Sequence, residues 1–282
     1  MNRFPAIAIA SGKGGTGKTT VAVHLAAALL FQKRTVQYLD CDVEEPNGHL
    51  FLKPLIDSVE PAGIPVPVVD AARCTSCGKC AQVCEFNAIA LLKKPLTFPE
   101  LCHGCGACAL VCPVGAIREE PRAIGVVESG QAGATTIVQG RLTIGEPMSP
   151  PLIRAVKARR DPRAIALFDA PPGTACPFAT TVRGADFVLL VAEPTPFGLH
   201  DLVLAIETLR PLGVPLGVVV NRADEDRRVQ DFCAANGVPV LAELPDDRRV
   251  AETYARGELL FDRLPEWRGH FENLWARIEE LL

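Results

Sequence analysis

The stretch Ile7–Thr20 constrains the chain more than any other. A short apolar run, Ile7-Ala-Ile-Ala, leads into Gly12-Lys13-Gly14-Gly15-Thr16-Gly17-Lys18-Thr19-Thr20, which fits G-x-x-x-x-G-K-[ST]. An amphipathic helical pattern, Lys18–Leu30, follows directly. Strand, glycine loop and helix in that order form a phosphate cradle. Glycines let backbone N–H groups converge on phosphate oxygens, and the helix N-terminus adds positive potential. In such a loop Lys18 reaches the β- and γ-phosphates and the Thr19 hydroxyl faces Mg²⁺.

The rest of the chain supplies a matching scaffold. Pro5–Ala10, Thr35–Leu39, Ala164–Phe168, Phe187–Ala192, Pro215–Val220 and Val238–Leu241 read as strands. Several are apolar throughout, as parallel strands covered on both faces are. Leu199–Arg210 and Asp226–Asn236 read as helices, the second stopped by Gly237. The alternation predicts a doubly wound, mostly parallel α/β sheet of the P-loop NTPase type. Pro121–Pro151 reads as a hairpin returning to that sheet, and Trp267–Leu282 as a closing helix with an apolar stripe.

Cysteine breaks the pattern. Eight of eleven cysteines fall between Cys74 and Cys112. Cys74, Cys77, Cys80 and Cys84 recur, 28 residues on, as Cys102, Cys105, Cys108 and Cys112, and Gly78, Val83, Ala88 and Ile89 recur with them. Each set reads C-x₂-C-x₂-C-x₃-C, the bacterial ferredoxin pattern, in which the fourth cysteine ligates the other cluster. This predicts one [4Fe–4S] cluster on Cys74, Cys77, Cys80 and Cys112, and another on Cys102, Cys105, Cys108 and Cys84. Zinc is the alternative that thiolates also suit. Pro113 follows the second fourth cysteine, whereas Glu85 follows the first. The expected organisation is an ATPase domain, residues 1–65 and 121–282, interrupted at 66–120 by a small α+β bacterial-ferredoxin-like insert. Pro61, Pro65, Pro67 and Pro121 read as its linkers. Cys41 and Cys233 lie in apolar contexts and are expected to be buried thiols; Cys176 is expected to be packed too.

Lys13, next to Gly12, makes the loop K-G-G-T-G-K-T-T, which resembles the deviant Walker A loop of the MinD/ParA and nitrogenase iron-protein superfamily. Tyr38–Asn47, Leu167–Gly173, Val220–Arg222 and Leu244–Asp246 resemble that family's later segments in order and spacing. The resemblance implies that Lys13 reaches a partner's nucleotide across a dimer and that Asp42 activates the attacking water. It places Asp40 near the Mg²⁺ shell, Asp169 on a Mg²⁺-bound water and Gly173 by the γ-phosphate. Asn221, Arg222, Pro245 and Asp246 would line the adenine. Taken singly, each acid reads equally as a turn or cap residue, and Lys13 as a solvated loop charge.

The expected protein is therefore a cytoplasmic, Mg²⁺-dependent ATPase with ATP, Mg²⁺ and two [4Fe–4S] clusters as cofactors. It would act as a homodimer, or as a heterodimer with a paralogous ATPase, coupling nucleotide-driven closure to electron transfer into a redox or metallocofactor protein. Assistance in metallocofactor assembly is the alternative, although cluster carriers of this superfamily use a C-x-x-C outside any ferredoxin and none lies outside Cys74–Cys112. A membrane-positioning ATPase is a third class, disfavoured by Glu266, Glu272, Glu279 and Glu280 on the polar face of the C-terminal helix. A net charge of −4 disfavours nucleic-acid binding, and no apolar run is long enough for a membrane span or placed as a signal peptide.

Overall fold

In the computed structural model, which describes residues 3–282, the central strands are buried on both sides, as their composition requires. Eleven strands form: β1 (Ala6–Ala10), β2 (Val36–Asp40), β3 (Leu55–Val69), β4 (Ile89–Leu91), β5 (Pro95–Thr97), β6 (Ile117–Ala132), β7 (Thr135–Leu142), β8 (Ile165–Asp169), β9 (Phe187–Ala192), β10 (Leu216–Ala223) and β11 (Val240–Pro245). Nine make one sheet in the order β11-β10-β9-β1-β8-β2-β7-β6-β3, while β4 and β5 pair separately. From β11 to β7 every pairing is parallel; β7–β6 and β6–β3 are antiparallel.

Alternation along β1 shows how the layers divide. Ala6, Ala8 and Ala10 face a core that includes Leu152, Phe178 and Leu202, from the helices Pro150–Lys157, Cys176–Val182 and Pro196–Leu209. Ile7 and Ile9 face the opposite core, with Leu25 and Leu29 of helix Lys18–Phe31 and Phe271 and Trp275 of helix Arg268–Glu279. Small side chains on one face let the backbone of the first set approach closely; large ones on the other fill the wider gap. The C-terminal stripe is thus spent inside: Phe271, Leu274, Trp275 and Ile278 are buried, although Leu281 and Leu282 are exposed.

The expected strands and helices form with ends displaced by a few residues. The proline-bearing flanks of the cysteine segment are a correction. They are not linkers but rungs of one long antiparallel ladder in which Pro65 faces Pro121 and Pro67 faces Glu119. Prolines are tolerated because β3 is the sheet's edge, where an N–H is dispensable. Val66 and Glu120, the expected ends of the insert, sit opposite each other on a single rung. At the far end of the ladder, residues 70–116 fold around their own small core of Cys80, Ile89 and Cys108.

His24 ties helix Lys18–Phe31 to the C-terminal region. Its Nδ1–H donates to the Thr20 carbonyl at 2.6 Å, Nε2 accepts the Leu260 N–H at 2.7 Å, and the ring stacks on Phe271 at 5.2 Å. Acceptance of the Leu260 N–H needs the neutral ring, and burial pushes the His24 pKa down to about 4. The unfolded chain takes up this proton near its ordinary value, 6.5, so stability present above that pH is lost as pH falls toward 4. We expect His24 to account for about 3 kcal/mol of acid destabilisation by the low end of that window. Urea unfolding at pH 7 and pH 4.5 should show a flatter pH dependence for His24→Gln than for the wild type.

Candidate functional site

The loop after β1 is shaped by what presses on it. A Cβ on Gly12 would lie 2.1 Å from the Asp201 carbonyl oxygen, so Gly12 exists for close packing on helix Pro196–Leu209. Gly15 and Gly17 have φ of 80° and 89°, which glycine adopts without strain. A Cβ on Gly17 would strike Asn221, whose Nδ2 donates to the Thr16 carbonyl at 2.8 Å and pins the loop to β10. The Ser11 hydroxyl donates to the Lys13 carbonyl at 2.7 Å and closes the turn.

A cleft opens above this loop. Gly14, Gly15, Gly17, Lys18, Thr19 and Thr20 form its floor, and Asp42 one side. Asn221, Arg222, Pro245 and Asp246 form the far wall. These are the residues expected around phosphates and base. Helix Arg248–Ala255 adds Val250, Ala251 and Tyr254, and the 42–48 segment adds Glu45 and Asn47. Sequence reasoning missed these; the apolar spacing of Val250, Ala251 and Tyr254 on one helical face was the available signal.

Five expected residues lie outside the cleft wall besides Gly12. Thr16 is buried beneath the loop. Gly173, at φ 92°, donates its N–H to the Ser11 carbonyl at 3.2 Å. Lys13 turns sideways to Glu193, with Nζ 3.3 Å from Oε2, and Arg222 pairs with the other oxygen of the same carboxylate. Glu193, almost fully buried at the end of β9, thus holds the loop lysine and a wall arginine together.

Asp40 and Asp169 are fully buried under the floor. Asp169 ends β8 with Oδ1 3.7 Å from Lys18 Nζ and Oδ2 accepting the Tyr38 hydroxyl at 2.7 Å. Its Oδ1 is a buried oxygen without a hydrogen-bond partner among the described residues. A buried, unpartnered carboxylate oxygen beside Lys18 suits a hydrated Mg²⁺. Asp40 ends β2 beneath the 42–48 loop. Its oxygens accept N–H groups of Asp42 at 3.1 Å, Asn47 at 3.1 Å and Gly48 at 3.0 Å, so it organises the 42–48 loop from below. Burial and the nearby Asp169 charge push its pKa up. Asp42 itself reaches the cleft; burial raises its pKa to about 6, against the pull of Lys18.

At the other end of the β3–β6 ladder the sequence repeat is also a structural one. Ser76 and Gly104, Gly78 and Gly106, and Asn87 and Gly115 are left-handed pairs at the same offset. The N–H groups of Ser76 and Gly104 point at Cys74 and Cys102 Sγ, each at 3.4 Å; those of Ala88 and Ala116 point at Cys84 and Cys112 Sγ at 3.3 and 3.2 Å. Two small pockets lined largely by these cysteines result. Cys74, Cys77, Cys80 and Cys112 line one; Cys84, Cys102, Cys105 and Cys108 line the other. Each takes three thiols from one repeat and the fourth from its twin. Among the described residues no three His, Cys, Asp or Glu side chains are grouped so as to hold a single metal ion.

Cys41 and Cys233 are buried as expected, and burial pushes both thiols up, Cys233 to about 11. Cys176 is not packed: it is exposed at the first turn of helix Cys176–Val182, whose buried face begins at Phe178.

Residues 7–261 match the family model described as the CobQ/CobB/MinD/ParA nucleotide binding domain. The chain belongs to this family. It is 32% identical over 98% of its length to an uncharacterized protein of Methanocaldococcus jannaschii, 97% of which is covered. An iron-sulfur cluster carrier protein of Aquifex aeolicus is 25% identical over 89% of this chain and 60% of its own. Among solved structures, the Pyrococcus furiosus cell division ATPase MinD covers 100% of both chains with a TM-score of 0.59 at 24% identity. MinD of Pyrococcus horikoshii, complexed with Mg-ADP, covers 99% of this chain and 97% of its own with a TM-score of 0.60 at 22% identity. The two MinD structures share its α/β fold with a large, mostly parallel sheet.

For this member of the family, Lys18→Ala should weaken nucleotide binding at least 100-fold, because among the described residues no other lysine lines the cleft floor. Lys13→Ala, which removes a contact to Glu193 rather than a cleft wall, should leave the affinity of the isolated chain within about twofold. Calorimetric titration of both variants with MgADP checks this.

Proposed function

We propose that the chain is a Mg²⁺-dependent ATPase carrying two [4Fe–4S] clusters, in which nucleotide-driven closure of a dimer gates electron transfer to a redox or metallocofactor protein. The observation that carries this reading is the sorting of eight thiols into two cavities, each with three cysteines from one repeat and one from the other. A single zinc ion needs four ligands converging within about 2.3 Å of one point. Four thiols lining each pocket suit a polynuclear cluster, and backbone N–H groups aimed at four of the eight supply the hydrogen bonds that cluster-bound sulfur accepts. Residues 66–120 then act as the ferredoxin-like unit and the remainder as the ATPase.

In the cleft, Lys18 and the loop N–H groups compensate the phosphates. Thr19 and Asp169 would hold the Mg²⁺, which neutralises charge on the phosphate oxygens when bound. Asp42, at the cleft wall, orients the attacking water and accepts its proton; a pKa near 6 keeps it mostly ionised at neutral pH. Asn221, Arg222, Pro245 and Asp246 enclose the base. Lys13 would leave Glu193 to reach a partner's phosphate, in a homodimer or with a paralogous chain. The solved Mg-ADP complex of a MinD supports the nucleotide part of this reading.

A second reading is favoured by relatives named iron-sulfur cluster carrier protein, in Aquifex aeolicus and in Methanocaldococcus jannaschii. In it the clusters are cargo delivered to a client. The two readings differ in how firmly the iron is held. Anaerobically purified protein should contain about eight irons and eight sulfides per chain and keep them through incubation with an apo-ferredoxin and ATP. Cys112→Ser should damage one cluster and spare the other. Zinc in place of iron would overturn the cluster assignment, and ATP-dependent loss of iron to the acceptor would favour delivery.

A further inference from the structure

Tyr38 stands between the two halves of the catalytic machinery. It lies on β2, one strand over from Asp169, and is fully buried. Its hydroxyl donates to Asp169 Oδ2 at 2.7 Å. The same ring presses on the 42–48 loop: a Cβ on Gly48 would lie 2.4 Å from Cε1 and 2.5 Å from the hydroxyl oxygen. Gly48 N–H in turn donates to Asp40, whose other oxygen accepts Asp42 N–H. One side chain therefore touches the carboxylate at the end of β8 and the loop that carries Asp42.

We propose that Tyr38 is a positioning residue for the metal: its hydroxyl holds the Asp169 carboxylate with Oδ1 turned toward Lys18 and the Mg²⁺ position. The physical argument concerns a crowded buried site. Asp40 and Asp169 are both fully buried. Among the described residues the Asp169 side chain accepts one hydrogen bond, at Oδ2 from Tyr38, and Oδ1 has no partner. Without the hydroxyl, Oδ2 too is buried and unpaired, and the carboxylate is free to rotate. Rotation turns Oδ1 away from the metal position. The contact with Gly48 adds a second consequence: displacement of the 42–48 loop shifts the ring, and with it the carboxylate.

The inference rests on the proposed Mg²⁺–nucleotide site, and its test does not require turnover. Affinity for a fluorescent ADP analogue is measured in EDTA and across a Mg²⁺ titration, for the wild type, Tyr38→Phe and Gly48→Ala. Phenylalanine keeps the ring in its packing and removes one oxygen. Tyr38→Phe should bind the analogue in EDTA within about twofold of the wild type, yet need about tenfold more Mg²⁺ for half-maximal enhancement, the size expected for one hydrogen bond to a charged group. Gly48→Ala, which pushes the ring from the loop side, should shift the Mg²⁺ requirement in the same direction. Equal weakening of Tyr38→Phe with and without Mg²⁺ would mean a purely structural role and overturn the proposal. An unchanged Mg²⁺ requirement in Tyr38→Phe, with normal enhancement in the wild type, would overturn it while leaving the metal site standing. A wild type with no Mg²⁺ enhancement would overturn the metal reading, and this inference with it.

Discussion

The pairing of β3 with β6 is the constraint on which the rest of the structure depends. Fourteen consecutive rungs, with two irregularities, run from Leu55 opposite Gln131 to Val69 opposite Ile117. At one end β6 pairs with β7, and β7 pairs with β2, the strand that delivers Asp40 and Asp42 to the cleft. At the other end the ladder opens into the cysteine-lined unit. Cleft and cavities thus share one hydrogen-bonded sheet. A backbone ladder is stiff along its strands, because bending it strains or breaks several bonds together. Gly104 reinforces the junction, since a Cβ there would lie 3.1 Å from the Pro65 ring.

Within the ATPase half, charge is arranged in depth. Lys18 sits at the floor, Asp169 behind it, Tyr38 behind that, and Asp40 beneath the loop carrying Asp42. Only Asp42 of the three acids faces the cleft. The Asp169 Oδ1, buried beside Lys18 and unpaired among the described residues, marks a place that suits a cation. Glu193 makes a separate arrangement at the cleft edge, occupying Lys13 and Arg222 at once. For Lys13 to act on a partner's nucleotide it must exchange that contact for phosphate, a trade of one anion for another.

Much of this was legible in the sequence, and the failures have physical causes. Strongly apolar strands and the glycine loop announced the parallel sheet because both faces of β1 must be covered. The cysteine repeat announced the cross-paired thiol sets because it matches the bacterial ferredoxin pattern, in which the fourth cysteine belongs to the other set. The long β3 escaped notice since its prolines, Pro61, Pro65 and Pro67, argue against a strand unless it is an edge, and edge position is a tertiary fact. That Asp40 organises the 42–48 loop was not legible, because only the folded loop brings three N–H groups to its oxygens. Glu193 and Tyr38 were invisible as partners because Lys13 and Asp169 lie far away in the chain. Cys176 was expected to be packed, yet a helix's first residue points wherever the preceding loop leaves it.

The central claim is that nucleotide in the cleft is felt at the clusters through the shared sheet. Coupling of this kind is reciprocal: if ATP shifts a cluster's potential, reduction shifts ATP affinity by the same free energy. The direct measurement is an EPR-monitored redox titration without nucleotide, with ADP and with a non-hydrolysable ATP analogue, alongside analogue affinity for oxidised and reduced protein. The account predicts a shift of about 60 mV in at least one cluster between the ADP and ATP-analogue states, matched by a roughly tenfold change in affinity on reduction. Identical potentials in all three states, with equal affinity for oxidised and reduced protein, would contradict it.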